Sequence, residues 1–554
     1  MQVGSSFSWP RPRQFWRRLQ SPGLRQQLAS YLGSCRGKRE LNGTDLFPPP
    51  ELAAHAWVLV HRDPDLMQVE HDVDVLRIPQ GGKDLPADPK GRPAVVVLLG
   101  RFRERQRYPA QLADGCHGDV ITGRYLPCPA LGSDRMLDAV GVGVGPFNLS
   151  LAALLAPTGF NARFFDKSAD FQWHPGLLLP EATIQVSYLK DLVTLVDPMS
   201  PYSFVAFLRA QKRLYRFINR TEARVSRKEF NQYLQWVAGS LPNVEFGAEV
   251  REVGLAENSF TVQLDRRMLR ANAIVLGTGL VPNIPDWARP NLGDVVFHSN
   301  DFLGHPVDPT GRVVAVVGGG QSAAEVVWHL LLDAARLPSQ LVWISHRSSF
   351  LPLDESPFTN EFFNPVYSDY FFGLTQEQRD VLLAEQKLAS DGISPGLLQR
   401  IYDRLYELEF LEGAGRRVRM LPGHEVVDMQ HASAGCDLIL RDRWGVSRTV
   451  RADQIVLGTG YSYALPEAMQ PLASRMSWDR DGLPVRADFS VEWDGPPELR
   501  IYAQDAARHM RGVADPNLSL MAWRSAIIAN SLLGRPLYDV SGESSVFDFD
   551  ETVE

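Results

Sequence analysis

The chain has 554 residues, of which 44% are hydrophobic and 22% charged, and it carries a formal net charge of −8. That length buries several cores, so two to four domains are expected. The negative balance excludes the basic field of a nucleic-acid binder, and no run of about 18 apolar residues exists to cross a bilayer as a helix.

Residues 1–135 are rich in Arg and Pro. Their basic start, MQVGSSFSWPRPRQFWRRLQ, lacks the apolar stretch and small-residue cleavage site of an export signal. Two strand-like runs, AWVLV and AVVVLL, stand among breakers such as FPPPE and PQGGKDLPADPKGR. A small module, a disordered appendage and a mis-assigned start codon are all open readings, and this extension is given no chemistry. Three of the four cysteines, Cys35, Cys116 and Cys128, lie here, with Cys436 far downstream and no CxxC pair anywhere. This usage fits neither a disulfide framework nor a zinc site and points to a reducing cytoplasm.

From Met136 the pattern becomes strand, glycine turn, helix and strand, and it occurs twice. The first copy reads LDAVGVGVGPFNLSLAALLA and then ARFFDK. Gly141, Gly143 and Gly145 clear the way for backbone N–H groups and a helix N-terminus to approach a pyrophosphate, and Pro146 suits the first helical turn. Asp166 ends the following strand about twenty residues on, where a carboxylate meets a free ribose hydroxyl, which suits FAD or NAD.

The second copy reads RVVAVVGGGQSAAEVVWHLLLDAA and then LVWISHR. Its turn carries Gly318, Gly320, Gln321 and Ser322, but its second strand ends in His346 and Arg347 where the first ended in an acid. A base there pairs with a 2′-phosphate, so this site is expected to take NADPH. The two sites together describe hydride passing from NADPH to FAD.

Two further segments, NAIVLGTGLVPNIP and DQIVLGTGYSYALP, read as buried strands that return to such a sheet and leave it again. Between them, helical spacing over residues 375–411 predicts a subdomain set over the cofactors. The expected fold is α/β, with two Rossmann-like dinucleotide-binding domains and a small helical substrate subdomain. The expected boundaries are an N-terminal extension over 1–135, a first FAD-domain part over 136–310, an NADPH domain over 311–453 holding the helical subdomain at about 350–415, an FAD-domain return over 454–540 and an acidic tail over 541–554. Lack of a redox cysteine pair removes disulfide reduction, while oxygen and an external acceptor both remain open.

The motifs GVGVGPFNLSLAAL, FQWHPGLLLP, YLKDLVTLVDPMSPYSFVAFL, VSRKEFNQYLQW, VVGGGQSAAE, FTNEFFNP, VLGTGYSYALP and VADPNLSLMAWRSA run from Met136 to about residue 540. They resemble the flavin-dependent N-hydroxylating monooxygenases of siderophore biosynthesis, the lysine N6- and ornithine N5-monooxygenase family, and the lysine type most closely. The resemblance implies that NADPH reduces FAD, that oxygen adds to the flavin as a C4a-hydroperoxide, and that a neutral amine takes the distal oxygen to become N–OH. It implies FAD contacts at Trp173, His174, Gln185, Pro516, Asn517 and Leu518, with Lys167 and Val250 also on the FAD side.

By the same resemblance Lys190 grips the substrate carboxylate, Asn360 holds the amino end and Ser519 lies at the flavin–substrate edge. Asp391 stands where ornithine-type enzymes carry Asn, a departure that argues against ornithine. Gln321 and Ser322 fall on the NADPH pyrophosphate, and Arg347, or His346 if the register slips by one, on its nucleotide. L-Lysine is the expected substrate, with cadaverine, putrescine and ornithine as alternatives and a hydroxamate siderophore as the pathway product. A homo-oligomer is implied by family habit. The rival readings are another two-nucleotide flavin monooxygenase, suggested by FHSNDF, and a non-catalytic flavin-fold scaffold.

Overall fold

The computed structural model describes residues 136–549, apart from 222–223, 306–307, 414, 433–434 and 480–481, together with the backbone of five short strands nearer the N-terminus. The chain divides into two compact units, Met1–Ala110 and Gln111–Glu554. In the first, Ala56–His61 pairs antiparallel with Asp45–Phe47 on one side and Val95–Gly100 on the other. Both strand-like runs therefore belong to one three-stranded sheet. The other expectations for the extension, and for residues 550–554 of the tail, lie outside the described residues.

The second unit holds two large sheets, the first mixed and the second wholly parallel. In the first, β1 (Leu137–Val142) runs through a glycine turn into α1 (Pro146–Leu155) and on to β2 (Ala162–Phe165). Helix α2 (Arg227–Ala238) follows, then the long strand β3 (Met268–Leu276). β1 lies between β2 and β3 in parallel pairing. Strands Val250–Ala256 and Ser259–Leu264 continue the sheet antiparallel along the first half of β3. The apolar runs of β1 and β3 are buried, as parallel strands covered on both faces require.

The second sheet has the order β4 (Val296–His298), β8 (Gln454–Leu457), β5 (Val313–Val317), β6 (Gln340–Ser345), β7 (Val418–Pro422), all parallel. Between β5 and β6 lies α3 (Gln321–Leu332). The chain then returns to the first sheet through β9 (Arg500–Ala503), parallel to the second half of β3. These are the two Rossmann-like lobes expected from the repeated unit.

The division after Ala110 does not coincide with the expected edge of the extension at 135, and the two sheets share their strands differently from the expected FAD and NADPH segments. Residues 296–298 were expected in the first FAD-domain part and 454–457 at the head of its return, yet both strands belong to the second sheet. Backbone pairing decides this: Val456 stands opposite Phe297 on one side and Val316 on the other, so the buried QIVL run fills the gap between β4 and β5. The crossovers come just after each Gly-Thr-Gly. They run side by side, Val281–Pro282 antiparallel to Tyr461–Ser462, with Thr459 Oγ1 donating to Asn283 O at 2.6 Å.

Helices Pro365–Gly373, Gln376–Glu385, Lys387–Ser390 and α4 (Pro395–Tyr406) follow β6. Thr375 and Gln378 close the second of them with a capping box. Leu397 and Ile401 of α4 join the core that contains Val326 and Leu330 of α3. The described part of the acidic tail docks on this layer, Ser545 Oγ donating to Glu361 Oε2 at 2.7 Å and Phe549 stacking on Tyr370. Among the described residues no helix is long and apolar enough to cross a membrane.

Candidate functional site

At the first glycine turn the backbone leaves no room for side chains. Gly143 has φ +83, and a Cβ there would stand 2.8 Å from Gly277 O; one on Gly141 would strike the Phe164 ring at 2.1 Å. Gly145 precedes α1 and Pro146 opens it. Asn148 Nδ2 donates to Gly143 O at 2.8 Å, and Gln504 Nε2 of the returning segment donates to Asn148 Oδ1 at 2.7 Å. Asp166 accepts from Val144 N and from Ser168 N, each at 2.8 Å. It braces the turn from below, a role not read from sequence. An ionised carboxylate has about four acceptor sites, so it retains capacity for a ribose hydroxyl. Lys167 is exposed beside it, and Ala248 N donates to Asp166 O at 2.8 Å, which ties the strand carrying buried Val250 to the same corner. A narrow cradle of backbone N–H at a helix N-terminus fits a dinucleotide pyrophosphate.

The FQWHPG loop packs against α2, with the Trp173 ring on Phe230. Trp173 N donates to Asn231 Oδ1 at 2.9 Å, and the half-buried His174, at φ +48, faces the Tyr461 ring at 6.1 Å. Burial, reinforced by the Arg227 guanidinium, pushes the His174 pKa down to about 4. Gln185 then begins a polar chain. Its Nε2 donates to Ser394 Oγ at 3.3 Å, Ser394 N donates to Gln321 Oε1 at 2.8 Å, and Gln321 Nε2 donates to Glu325 Oε1 at 3.0 Å. Glu325 closes the chain with a two-pronged ion pair to Arg227, at 2.8 and 2.9 Å. The chain joins the FQWHPG side, α2, α3 and the start of α4. Arg227, Glu325 and Ser394 were not singled out from sequence. A carboxylate inside the apolar helix QSAAEVVWHLLL was the one available signal.

The second turn repeats the first. Gly318 has φ +144, and a Cβ there would lie 2.0 Å from Gly458 O. Gly320 precedes α3, whose first turn carries Gln321 and the half-exposed Ser322. Arg347 lies against Gly319, and its Nη1 donates to Asp391 O at 2.7 Å. His346 and Arg347 line one cavity of about 250 Å³ with Ser348, Leu351, Lys387 and Leu388, so both alternatives for the nucleotide contact border the same space. A tight glycine turn with a basic cavity at the end of the next strand fits a 2′-phosphorylated dinucleotide. The Asp391 carboxylate accepts from Ser390 Oγ at 2.8 Å and lies 3.7 Å from Arg508. The carboxylate that stands where ornithine-type enzymes carry Asn is thus matched by the Arg508 guanidinium.

Lys190 and Ser519, 329 residues apart, come together: Lys190 Nζ donates to Ser519 Oγ at 3.0 Å. Phe363 lies under the ammonium at 5.8 Å. Burial lowers the Lys190 pKa, and Glu361 acts in the opposite sense. Pro516, Asn517 and Leu518 lead into this point, with Asn517 Oδ1 accepting from Ser519 N at 2.8 Å. The buried pair Asp515–Arg524, at 2.7 Å, anchors that loop. Asn360 is exposed in the same short helix as Phe363, its Nδ2 3.4 Å from Glu355 O. The ammonium, a hydroxyl and an aromatic ring make a half-buried cluster whose charge suits a carboxylate.

A family model described as L-lysine 6-monooxygenase/L-ornithine 5-monooxygenase matches residues 135–463. The L-lysine N6-monooxygenase of Escherichia coli is 37% identical over 412 residues, covering 74% of this chain and 97% of that protein. The FAD-bound structure of the cadaverine monooxygenase of desferrioxamine biosynthesis from Erwinia amylovora aligns with TM-score 0.70 at 32% identity, over 75% of this chain and 98% of that one. The ornithine N-hydroxylase of Kutzneria sp. 744, solved with reduced FAD, NADP+ and L-ornithine, aligns with TM-score 0.67 at 31% identity, over 72% and 99%.

Proposed function

This chain belongs to the L-lysine 6-monooxygenase/L-ornithine 5-monooxygenase family, and from that premise we propose that it hydroxylates the side-chain amine of L-lysine at N6. The cofactors are FAD and NADPH, and the net change is amine, O2, NADPH and H+ to hydroxylamine, water and NADP+. The product, once acylated, is a hydroxamate of the kind siderophores use to chelate ferric iron. A cytoplasmic setting, read from the cysteine usage, fits the NADPH demand.

The first glycine turn, with Asp166, holds FAD, and the second, with Gln321, Ser322 and the His346–Arg347 pair, holds NADPH. Bound, the two cofactors supply the electrons and the activated oxygen. The protein's own task is to deliver a neutral amine to that oxygen. A free lysine side chain has a pKa of about 10.4, so the pocket must desolvate it. The observation that carries the lysine reading is the contact of Lys190 with Ser519. Lys190 pairs with the substrate α-carboxylate and so fixes how far the side chain reaches, Phe363 excludes water from one wall, and Asn360 aligns the amine. A diamine such as cadaverine is the second reading. The Glu361 carboxylate, which acts on Lys190, offers a partner for a distal ammonium, while Lys190 would then have none.

Lys190→Ala separates these readings. Loss of one charge-assisted contact, about 1.5–3 kcal/mol, raises the apparent KM for lysine by roughly 10- to 100-fold. KM for cadaverine falls or stays the same. An unchanged KM for lysine removes Lys190 from substrate binding and with it the basis for choosing an amino acid.

A further inference from the structure

The cavity at the end of β6 has a wall that comes from outside the nucleotide-binding lobe's sheet. His346, Arg347 and Ser348 enter it from the strand end, as the Rossmann pattern leads one to expect, but Lys387 and Leu388 enter from the helical layer inserted after β6. That insertion was assigned to substrate, and nothing in the glycine pattern points to a lysine within it.

A phosphate monoester such as a nucleotide 2′-phosphate carries a charge of about −1.5 to −2 at neutral pH. Arg347 alone leaves it under-compensated. The crowding of positive charge is visible in His346, whose imidazole is held below its ordinary value by burial, by Arg347 and by Lys387, with Glu425 acting in the opposite sense. Arg347 and Lys387 supply the guanidinium and the ammonium of the cavity lining. Among the described residues no carboxylate pairs with Lys387. Its position is fixed through the backbone: Asp391 N donates to Lys387 O at 2.9 Å and Arg347 Nη1 donates to Asp391 O at 2.7 Å. The two cations are thus tied to opposite ends of one short helix, Lys387–Ser390, and face one cavity.

We propose that Lys387 is the second cation of the 2′-phosphate site, so that a residue of the helical layer, together with Arg347, selects NADPH over NADH. The inference rests on the NADPH reading of the second glycine turn but on no property of the amine. The same short helix also lends Leu388 and Ala389 to a second cavity, lined by Thr359 and Phe362 of the short helix that carries Asn360 and by Tyr367 of the next one. Lys387 therefore joins the nucleotide phosphate to the layer that faces the amine.

The test uses FAD-loaded protein and two probes that do not turn over, adenosine 2′,5′-bisphosphate and adenosine 5′-monophosphate, titrated calorimetrically. Wild-type protein is expected to favour the bisphosphate by tenfold or more. Lys387→Ala reduces that preference by about tenfold, the size of one charge-assisted contact, and Lys387→Arg restores most of it. The NADPH-over-NADH preference in anaerobic flavin reduction falls in parallel. A full bisphosphate preference in Lys387→Ala overturns the role of Lys387, and no preference in the wild type overturns the phosphate site. Were no amine hydroxylated, the substrate proposal would fail while these titrations still gave their answer.

Discussion

Replacing Glu325 by alanine strands a buried guanidinium. The Arg227 and Glu325 side chains are 13% and 4% exposed, and they meet through two bonds of 2.8 and 2.9 Å. Without the carboxylate, Arg227 keeps Leu177 O at 2.8 Å as its acceptor and Gln321 Nε2 loses its own. Removing one partner of a buried ion pair costs about 3–5 kcal/mol, because the remaining charge stays desolvated. The slight exposure of Arg227 sets the expectation near the lower end, about 3 kcal/mol. The assay is urea unfolding of FAD-loaded protein, arranged as a double-mutant cycle with Arg227→Met and Glu325→Leu. Each single change is expected to lower stability, and the double change to recover part of the loss, since an apolar pair of similar volume leaves no uncompensated charge. NADPH KM rises in Glu325→Ala, because Gln321 is oriented through Glu325. Singles within about 0.5 kcal/mol of wild type, or a cycle with no coupling, refute the reasoning.

Two further outcomes follow from the same geometry. Gly318→Ala places a Cβ 2.0 Å from Gly458 O at φ +144, so this variant keeps bound FAD by absorbance yet loses NADPH-driven flavin reduction, and normal reduction kinetics would contradict the crowding. His174 is held near a pKa of about 4 against an ordinary 6.5, chiefly by burial. The unfolded chain therefore takes up the proton first, and the stability due to neutral His174 is present above pH 6.5 and lost as pH falls toward 4. Melting temperature against pH should show this acid limb in the wild type and a shallower one in His174→Asn.

The parts of the molecule legible in the sequence are those set by neighbours in the chain. The glycine turns, Pro146, Asp166 at the end of β2 and the bases at the end of β6 lie within one strand–turn–helix–strand unit each, and local sterics and periodicity fix them. What joins the units was not legible. The Arg227–Glu325 pair spans 98 residues and the Gln185–Ser394 bond 209, and no spacing rule links such positions. Gln454–Leu457 reads as a buried strand, but only backbone pairing decides that it joins the second sheet. Asp166 was identified by its place, while its bond to Val144 N depends on the exact curl of the turn. Lys190 reads as a surface lysine next to an acid. Asp191, its neighbour, is instead buried and accepts from Val193, Thr194 and Phe204, which leaves the Lys190 ammonium for Ser519.

The most direct test supplies 18O2 and NADPH to the FAD-loaded protein with L-lysine, L-ornithine, cadaverine or putrescine and follows the label by mass spectrometry. The expected product is N6-hydroxylysine carrying one 18O atom, with lysine preferred over the other three amines. Labelled product from a diamine alone would keep the chemistry and overturn the substrate. Label found only in peroxide or water with all four amines would exclude N-hydroxylation of any of them.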